Sequence, residues 1–221
     1  MMRNIGRTLW QVMAGLAVIV VGAGPASALS VAYDQQATTK GLTIRSSVRL
    51  KDGRFRAEST TGGINTVVIR NHEGDVYQYL PDQRMAMRLS DLDPAHYPLG
   101  ASEDYRTYVD QHQGHYIGSE IIHGYPCDIY EFNDAGQLMT AWVWTEHPFP
   151  VKVIQRGVGG GELMTVELSH IQLDAPIDDE AFQLPPDVKV VDMGNLPTGS
   201  SDGSGEDLTK QMMQMLNQEA E

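Results

Sequence analysis

Four groupings in the sequence carry residue types that could do chemistry. His112 and His115 stand three apart, with Asp110 just before them. On a helix that spacing would place two imidazoles on one face beside a carboxylate, as a metal site requires. No further ligand follows at diagnostic spacing, and Gly114 between them marks a helix end, where histidine suits the negative terminus. Cys127 is the only cysteine. With His123 or His170 as base it would be a nucleophile. It follows Pro126 in a strand-like run with no oxyanion motif, and there a cysteine behaves as a small buried apolar group. Asp178, Asp179 and Glu180 could pair carboxylates, but they precede Ala-Phe-Gln-Leu-Pro and read as a solvated turn or an acidic helix start. Gly157 to Gly161 lacks the Lys-Ser/Thr that completes a phosphate cradle, so it reads as a hairpin tip. The sequence therefore offers no catalytic set, no metal centre and no cofactor site.

The elements around these residues are strands. From Gly41 the period becomes two: Leu42, Ile44, Ser46, Val48 and Leu50 alternate with Thr43, Arg45, Ser47 and Arg49. Asp52-Gly53 is a hairpin turn, because that pair tolerates the positive φ tight hairpins need. Strands follow at 54–58, 66–70, 76–80 and 84–89, and again at 116–123, 127–132, 138–145, 150–156 and 162–174. Asn133-Asp134-Ala135-Gly136 and His147-Pro148 mark turns. Residues 29–40 are weakly patterned and read as a short helix or an irregular lead-in. Residues 90–101 read as a loop. Ser102-Glu103-Asp104 then caps a helix reaching about His112, with acids at its positive end. That helix is either a lid over one end of the sheet or a cover for the core, since every open sheet needs one.

The ends are of a different kind. Arg3 and Arg7, the apolar run 12–22 and Ala26-Ser27-Ala28 compose a secretory signal peptide cleaved after Ala28. The apolar run is too short for a membrane span, which needs about 20 residues. Removing residues 1–28 from 221 leaves 193, enough for one core. The net charge of −13 becomes about −15 once the two leader arginines are gone. Such a chain repels nucleic acid and anionic membrane surfaces. At the other end, 194–205 is a Gly/Ser-rich linker. Leu208, Met212, Met215 and Leu216 then recur at helical spacing in a Met-rich segment, 206–221. This segment either docks, in the domain's own cavity or on an envelope protein, or stays an acidic tail, since isolated short helices are marginal in water.

Several runs along 41–191 carry a resemblance: 48–58 with 77–87, then 124–130, then 141–144 with 149–152, and finally 177–186. In order and spacing they resemble the periplasmic lipoprotein carriers of the LolA/LolB type, and more closely the DUF4412-type exported proteins. The resemblance implies an incomplete antiparallel β-barrel, helices closing its mouth, and an apolar interior that takes acyl chains. Two features depart from the carriers. Residues 29–40 are too short for their long N-terminal helix, and Lys51-Asp52-Gly53 stands where they have Arg-Pro. No functional arginine is therefore carried over.

The expected fold is mainly β (α+β): one strongly curved antiparallel sheet, spanning a domain at 29–193, with a covering helix. Trp142 and Trp144 share one strand face, as do Met85, Met87 and Leu89 on theirs. With Phe55 and Val68 these are the candidates to line an apolar cavity; ordinary core packing is the other reading. The expected function is that of a periplasmic, monomeric, non-enzymatic carrier or binding protein. Its partner would be a lipid or an acylated protein, with no stable membrane insertion. The alternative is an interaction module of the cell envelope; a hydrolase or metal enzyme is the third class.

Overall fold

The computed structural model describes residues 30–89 and 105–192. The expected signal peptide (1–28), the loop and helix cap at 90–104, the linker (194–205) and the Met-rich helix (206–221) lie outside the described residues.

Among the described residues, strands organise into two meanders. The first runs β1 (Ser30–Thr39), β2 (Leu42–Lys51), β3 (Arg54–Thr61), β4 (Ile64–Arg70), β5 (Val76–Leu80) and β6 (Met85–Arg88), each antiparallel to the next. Helix α1 (Tyr105–Gln111) follows. The second meander is β7 (His115–Ile122), β8 (Tyr125–Asp134), β9 (Gln137–Trp144), β10 (Pro150–Arg156) and β11 (Glu162–Leu173). Two-residue turns make the meanders tight. Asp52 (φ 50°) and Gly53 (φ 74°) both take positive φ, as do Ala135 (46°) and Gly136 (80°). This geometry matches the right-handed twist of the flanking strands.

β1 joins the two meanders by pairing with β11, Gln35 opposite Leu168 and Ala37 opposite Val166. The chain then crosses back through a strap, residues 174–188, containing a 3-10 turn at Asp179–Phe182. It ends in β12 (Lys189–Asp192), which lies parallel to β6. The strand order runs from β12 through β6–β1 and β11–β8 to β7, and the two ends do not meet. The result is an open half-barrel of mainly β structure with one covering helix, as the sequence predicts.

Two expectations need correction. Residues 30–39 are neither helix nor lead-in but β1, a central strand with neighbours on both sides. Its alternation is real: Val31, Tyr33, Gln35 and Ala37 are buried. Gln35 occupies an inward position with a polar side chain, which hides the period. The sheet is also not wholly antiparallel, because β12 joins β6 in parallel. Four residues are too few to give a strand signal of their own.

Candidate functional site

Paired residues in neighbouring strands put their side chains on one face, so register maps the faces directly. One row runs Tyr33, Val48, Ala57, Val68, Gln78 and Met87 across β1–β6. In the second meander a row runs Ala37, Val166, Val153, Ala141 and Tyr130. Most of these side chains belong to a single apolar cluster that also takes in Phe55, Phe132, Met139 and Leu168. Tyr105 and Val109 of α1 pack into that cluster, which defines the inner face. Their spacing of four puts them on one side of the helix.

Polar contacts pin α1 to the second meander. The Tyr105 amide donates to the Pro148 carbonyl at 3.1 Å. The Arg106 guanidinium donates to the carbonyls of Trp144 and Thr145. The Tyr108 hydroxyl donates to Asp134 Oδ2 at 2.7 Å. Burial and that carboxylate together hold the Tyr108 phenol above its ordinary range. Tyr105 is fully buried, and its hydroxyl has no hydrogen-bond partner among the described residues. Gly114 closes the helix: its amide donates to the Val109 carbonyl at 2.8 Å. A Cβ there would stand 2.3 Å from Val109 Cγ1, so only glycine fits.

The inner face also holds a polar inlay. Gln35, Ser46, Ser59 and Thr66 form a row by register, and Gln35, Ser46, Thr66 and the nearby Gln78 are buried. This row is not among the features expected from the sequence. The place of Ser46 between Ile44 and Val48 on one strand face is its only signal in the sequence, and Gln35 is hidden with β1.

The seven cavity candidates divide between the faces. Phe55 and Val68 are buried in the inner cluster, and Leu89 packs against it. Met85 and Met87 share the inner side through the Gln78–Met87 pairing, with Met87 buried and Met85 half-buried. Trp142 and Trp144 lie on the opposite, outer face with Cys127, Ile129, Val151 and Ile154. The Trp142 indole donates to Glu120 Oε2 at 2.7 Å, and Lys152 Nζ stands 5.3 Å from the ring centroid. Trp144 meets Tyr125 edge-on at 4.8 Å and His147 at 4.4 Å.

The outer face is otherwise a mosaic. One row passes from Asp34, Ser47 and Glu58 on β1–β3 to Val67, Tyr79 and Ala86 on β4–β6. The apolar half of that row is covered by Leu184 and Val188 of the strap. The polar half lines a groove of about 940 Å³, with Asp34, Arg45, Arg56, Glu58 and His170 on its walls. The strap is held by Lys51 and Arg54 on Asp179 (2.8 and 3.1 Å) and by Arg54 over the buried Phe182 ring. Those two cations hold the Asp179 carboxyl below its ordinary range.

The residues singled out for chemistry are dispersed. His112 lies just beyond α1, its Nδ1 donating to the Tyr108 carbonyl at 2.8 Å and its Nε2 3.6 Å from Asp134. His115 is on β7, 3.6 Å from Glu131. Among the described residues no group of three or more His, Cys, Asp or Glu side chains is placed to hold a metal ion. Cys127 is buried, its thiol donating to the Tyr125 carbonyl at 3.3 Å. Burial pushes its pKa up to about 11, which keeps it a thiol rather than a nucleophilic thiolate. His123 faces Glu167 and His170 faces Asp34 (3.4 and 3.0 Å), so each candidate base has a carboxylate partner. Asp178-Asp179-Glu180 opens the strap's 3-10 turn, and Gly157 to Gly161 is the β10–β11 turn, closed by a 3.0 Å bond from Gly157 to the Gly161 carbonyl. None of the described helices is long and apolar enough to cross a membrane.

No protein-family model matches the chain, and no curated protein does. Solved structures are similar in fold. An uncharacterized conserved protein from Thermus thermophilus matches with a TM-score of 0.51 at 15% identity, covering 76% of this chain and 91% of that one. MucB matches with a TM-score of 0.50 both alone and in complex with MucA(peri). The identities are 15% and 14%, and the match covers 73% and 74% of this chain. The chain spans less than two thirds of MucB, 59% and 57% in the two structures. At these identities what is shared is architecture: an open half-barrel of the MucB kind, which is the fold that the LolA/LolB resemblance implies.

Proposed function

We propose that this chain is an exported, periplasmic carrier or binding protein that shelters an apolar chain on the inner face of its half-barrel. The acyl chain of a lipid or an acylated protein is the ligand. The observation that carries the reading is the inner face itself. One apolar cluster reaches from Val68 and Val76 to Phe132 and Met139 beside the buried polar row of Gln35, Ser46 and Thr66, and its described helical cover is the seven-residue α1. Transfer of each CH₂ from water is worth about 0.8 kcal/mol, so even part of an acyl chain would bind well. α1 swings aside, Tyr105 and Val109 leave the cluster, and the ligand takes their place. Phe55, Val68, Met85, Met87 and Leu89 contact it. Trp142 and Trp144 serve a second apolar patch on the outer face.

The rest of the scheme follows from the sequence: cleavage after Ala28, a domain at 29–193, the linker, and a Met-rich segment at 206–221 that docks on the domain or on an envelope protein. The DUF4412-type exported proteins are its proposed nearest kin, and the mature protein is a monomer. Similarity of fold to MucB, solved with MucA(peri), supports a second reading in which the ligand is a protein partner.

Native mass spectrometry with lipid extraction on protein purified from the periplasm tests the first reading. The expected result is a co-purifying lipid or lipopeptide that is lost in a folded Met87→Asp variant. Ligand-free wild type that also ignores added lipid would remove the carrier reading and leave the protein partner.

A further inference from the structure

The two edges of the sheet are finished differently. β12 is four residues long and begins with Lys189. Short length and an edge lysine are both devices that discourage a further strand from pairing. β7 is eight residues long and carries no lysine or arginine. Among the described residues it pairs with β8 alone, so alternate peptide groups point away from the described sheet. Tyr116, Ile117 and Ile121 are 58%, 50% and 71% exposed, which gathers large apolar side chains on the strand with free backbone. A bulge at Ile117, between Tyr116 and Gly118, leaves 118–122 in regular register.

The charge around this edge selects a partner. Asp110 and Asp128 act on Tyr130 beside Tyr116. Glu120 lies on β7, and Glu131 lies opposite His115. Arg106 stands among them and already donates to two backbone carbonyls, and Lys152, over the Trp142 ring, is engaged with Glu167. A second copy of a chain with net charge −13 would be repelled from such an edge.

We propose that β7 is a docking edge for an extended segment of another polypeptide that alternates apolar with basic residues. The segment adds to the sheet beside 118–122. Its apolar side chains meet Tyr116 and Ile121, its cations face the acidic surround, and main-chain hydrogen bonds supply affinity. Tyr116 and Ile121 pair with Tyr130 and Pro126, so they lie on the inner side of the sheet but at its β7 edge, outside the buried apolar cluster.

The test uses the full chain, ¹⁵N-labelled, titrated with an acetylated and amidated octapeptide of alternating Lys and Val. Two comparators accompany it: the same peptide with Glu for Lys, and the Lys–Val peptide N-methylated at alternate residues, which removes main-chain donors. Saturable shifts at 118–122 and Tyr116 are expected, with roughly tenfold weaker binding for either comparator and for Ile121→Lys. Tyr116→Ser serves as a second variant should Ile121→Lys fold poorly. Absence of binding would overturn the proposal, as would equal binding of the N-methylated or Glu-bearing peptide. Wild-type self-association abolished by Ile121→Lys would overturn it in favour of a second copy.

Discussion

The inner face carries its apolar side chains in rows that continue through both meanders, whereas the outer face breaks its apolar groups into two patches. One outer patch, around Ile69 and Tyr79, is roofed by the strap; the other, around Trp142 and Ile154, is finished by Glu120 and Lys152. Between them stand the polar and charged side chains of β1–β3, including the ion pair of Arg56 with Glu58 at 2.7 Å and the hydrogen bond from Ser47 to Asp34 at 2.9 Å. The outer face is thus divided and locally finished. The inner face instead gathers its apolar side chains into one cluster beside the polar row of Gln35, Ser46 and Thr66, and Tyr105 and Val109 of α1 pack into that cluster.

The largest expected effect separates the faces energetically. Phe132→Ala on the inner face should cost about 3–5 kcal/mol, while Ile129→Ala, half-buried on the outer face, should cost about 1–2 kcal/mol. Urea denaturation measures both, and equal losses would break the comparison. Next is the lid. Gly114→Ala drives a methyl into Val109 and should cost roughly 1–3 kcal/mol, with faster hydrogen exchange confined to α1.

A smaller effect tests the outer face through pH. Lys152 at 2.8 Å, with His123 adding to it, holds the Glu167 carboxyl below its ordinary range. A carboxyl depressed in the folded state stabilises above its unfolded pKa, and that contribution is lost as pH falls through the lower folded value. Glu167→Gln should therefore cost about 1 kcal/mol at pH 7 and nothing once the wild-type carboxyl is protonated. Stability curves from pH 7 down to the acid limb would reveal whether the two proteins converge. Smallest is Tyr105→Phe, which removes a buried hydroxyl with no partner among the described residues. It should be neutral or stabilise by up to about 1 kcal/mol, and a clear loss would mean that the hydroxyl has a role in the closed lid.

Much of the scaffold is legible in the sequence for physical reasons. Asp52-Gly53 and the Gly136 turn are legible because glycine takes positive φ without cost, and Ile44 to Leu50 alternates because one face is buried. β1 is illegible because Gln35 puts a polar group at an inward position of the strand. β9 illustrates the limit for the site. Residues 139–143 are buried on both faces, so the sequence tells that Trp142 and Trp144 share a face and not which face it is. The helix end that Gly114 marks in the sequence is legible too: α1 ends at Gln111, and the chain turns into β7 at His115.

The most direct test of the account places a ligand on one face. Full-length protein labelled at its methionine methyls carries probes on the inner face at Met87, Met139 and Met164, while the Trp142 and Trp144 indoles report on the outer face. A fatty acid bearing a nitroxide near its tail is added, and line broadening is read at each probe. The account predicts broadening at the three methyls, with the indoles sharp. Broadening at the indoles alone, or at no probe with saturating fatty acid, would contradict it.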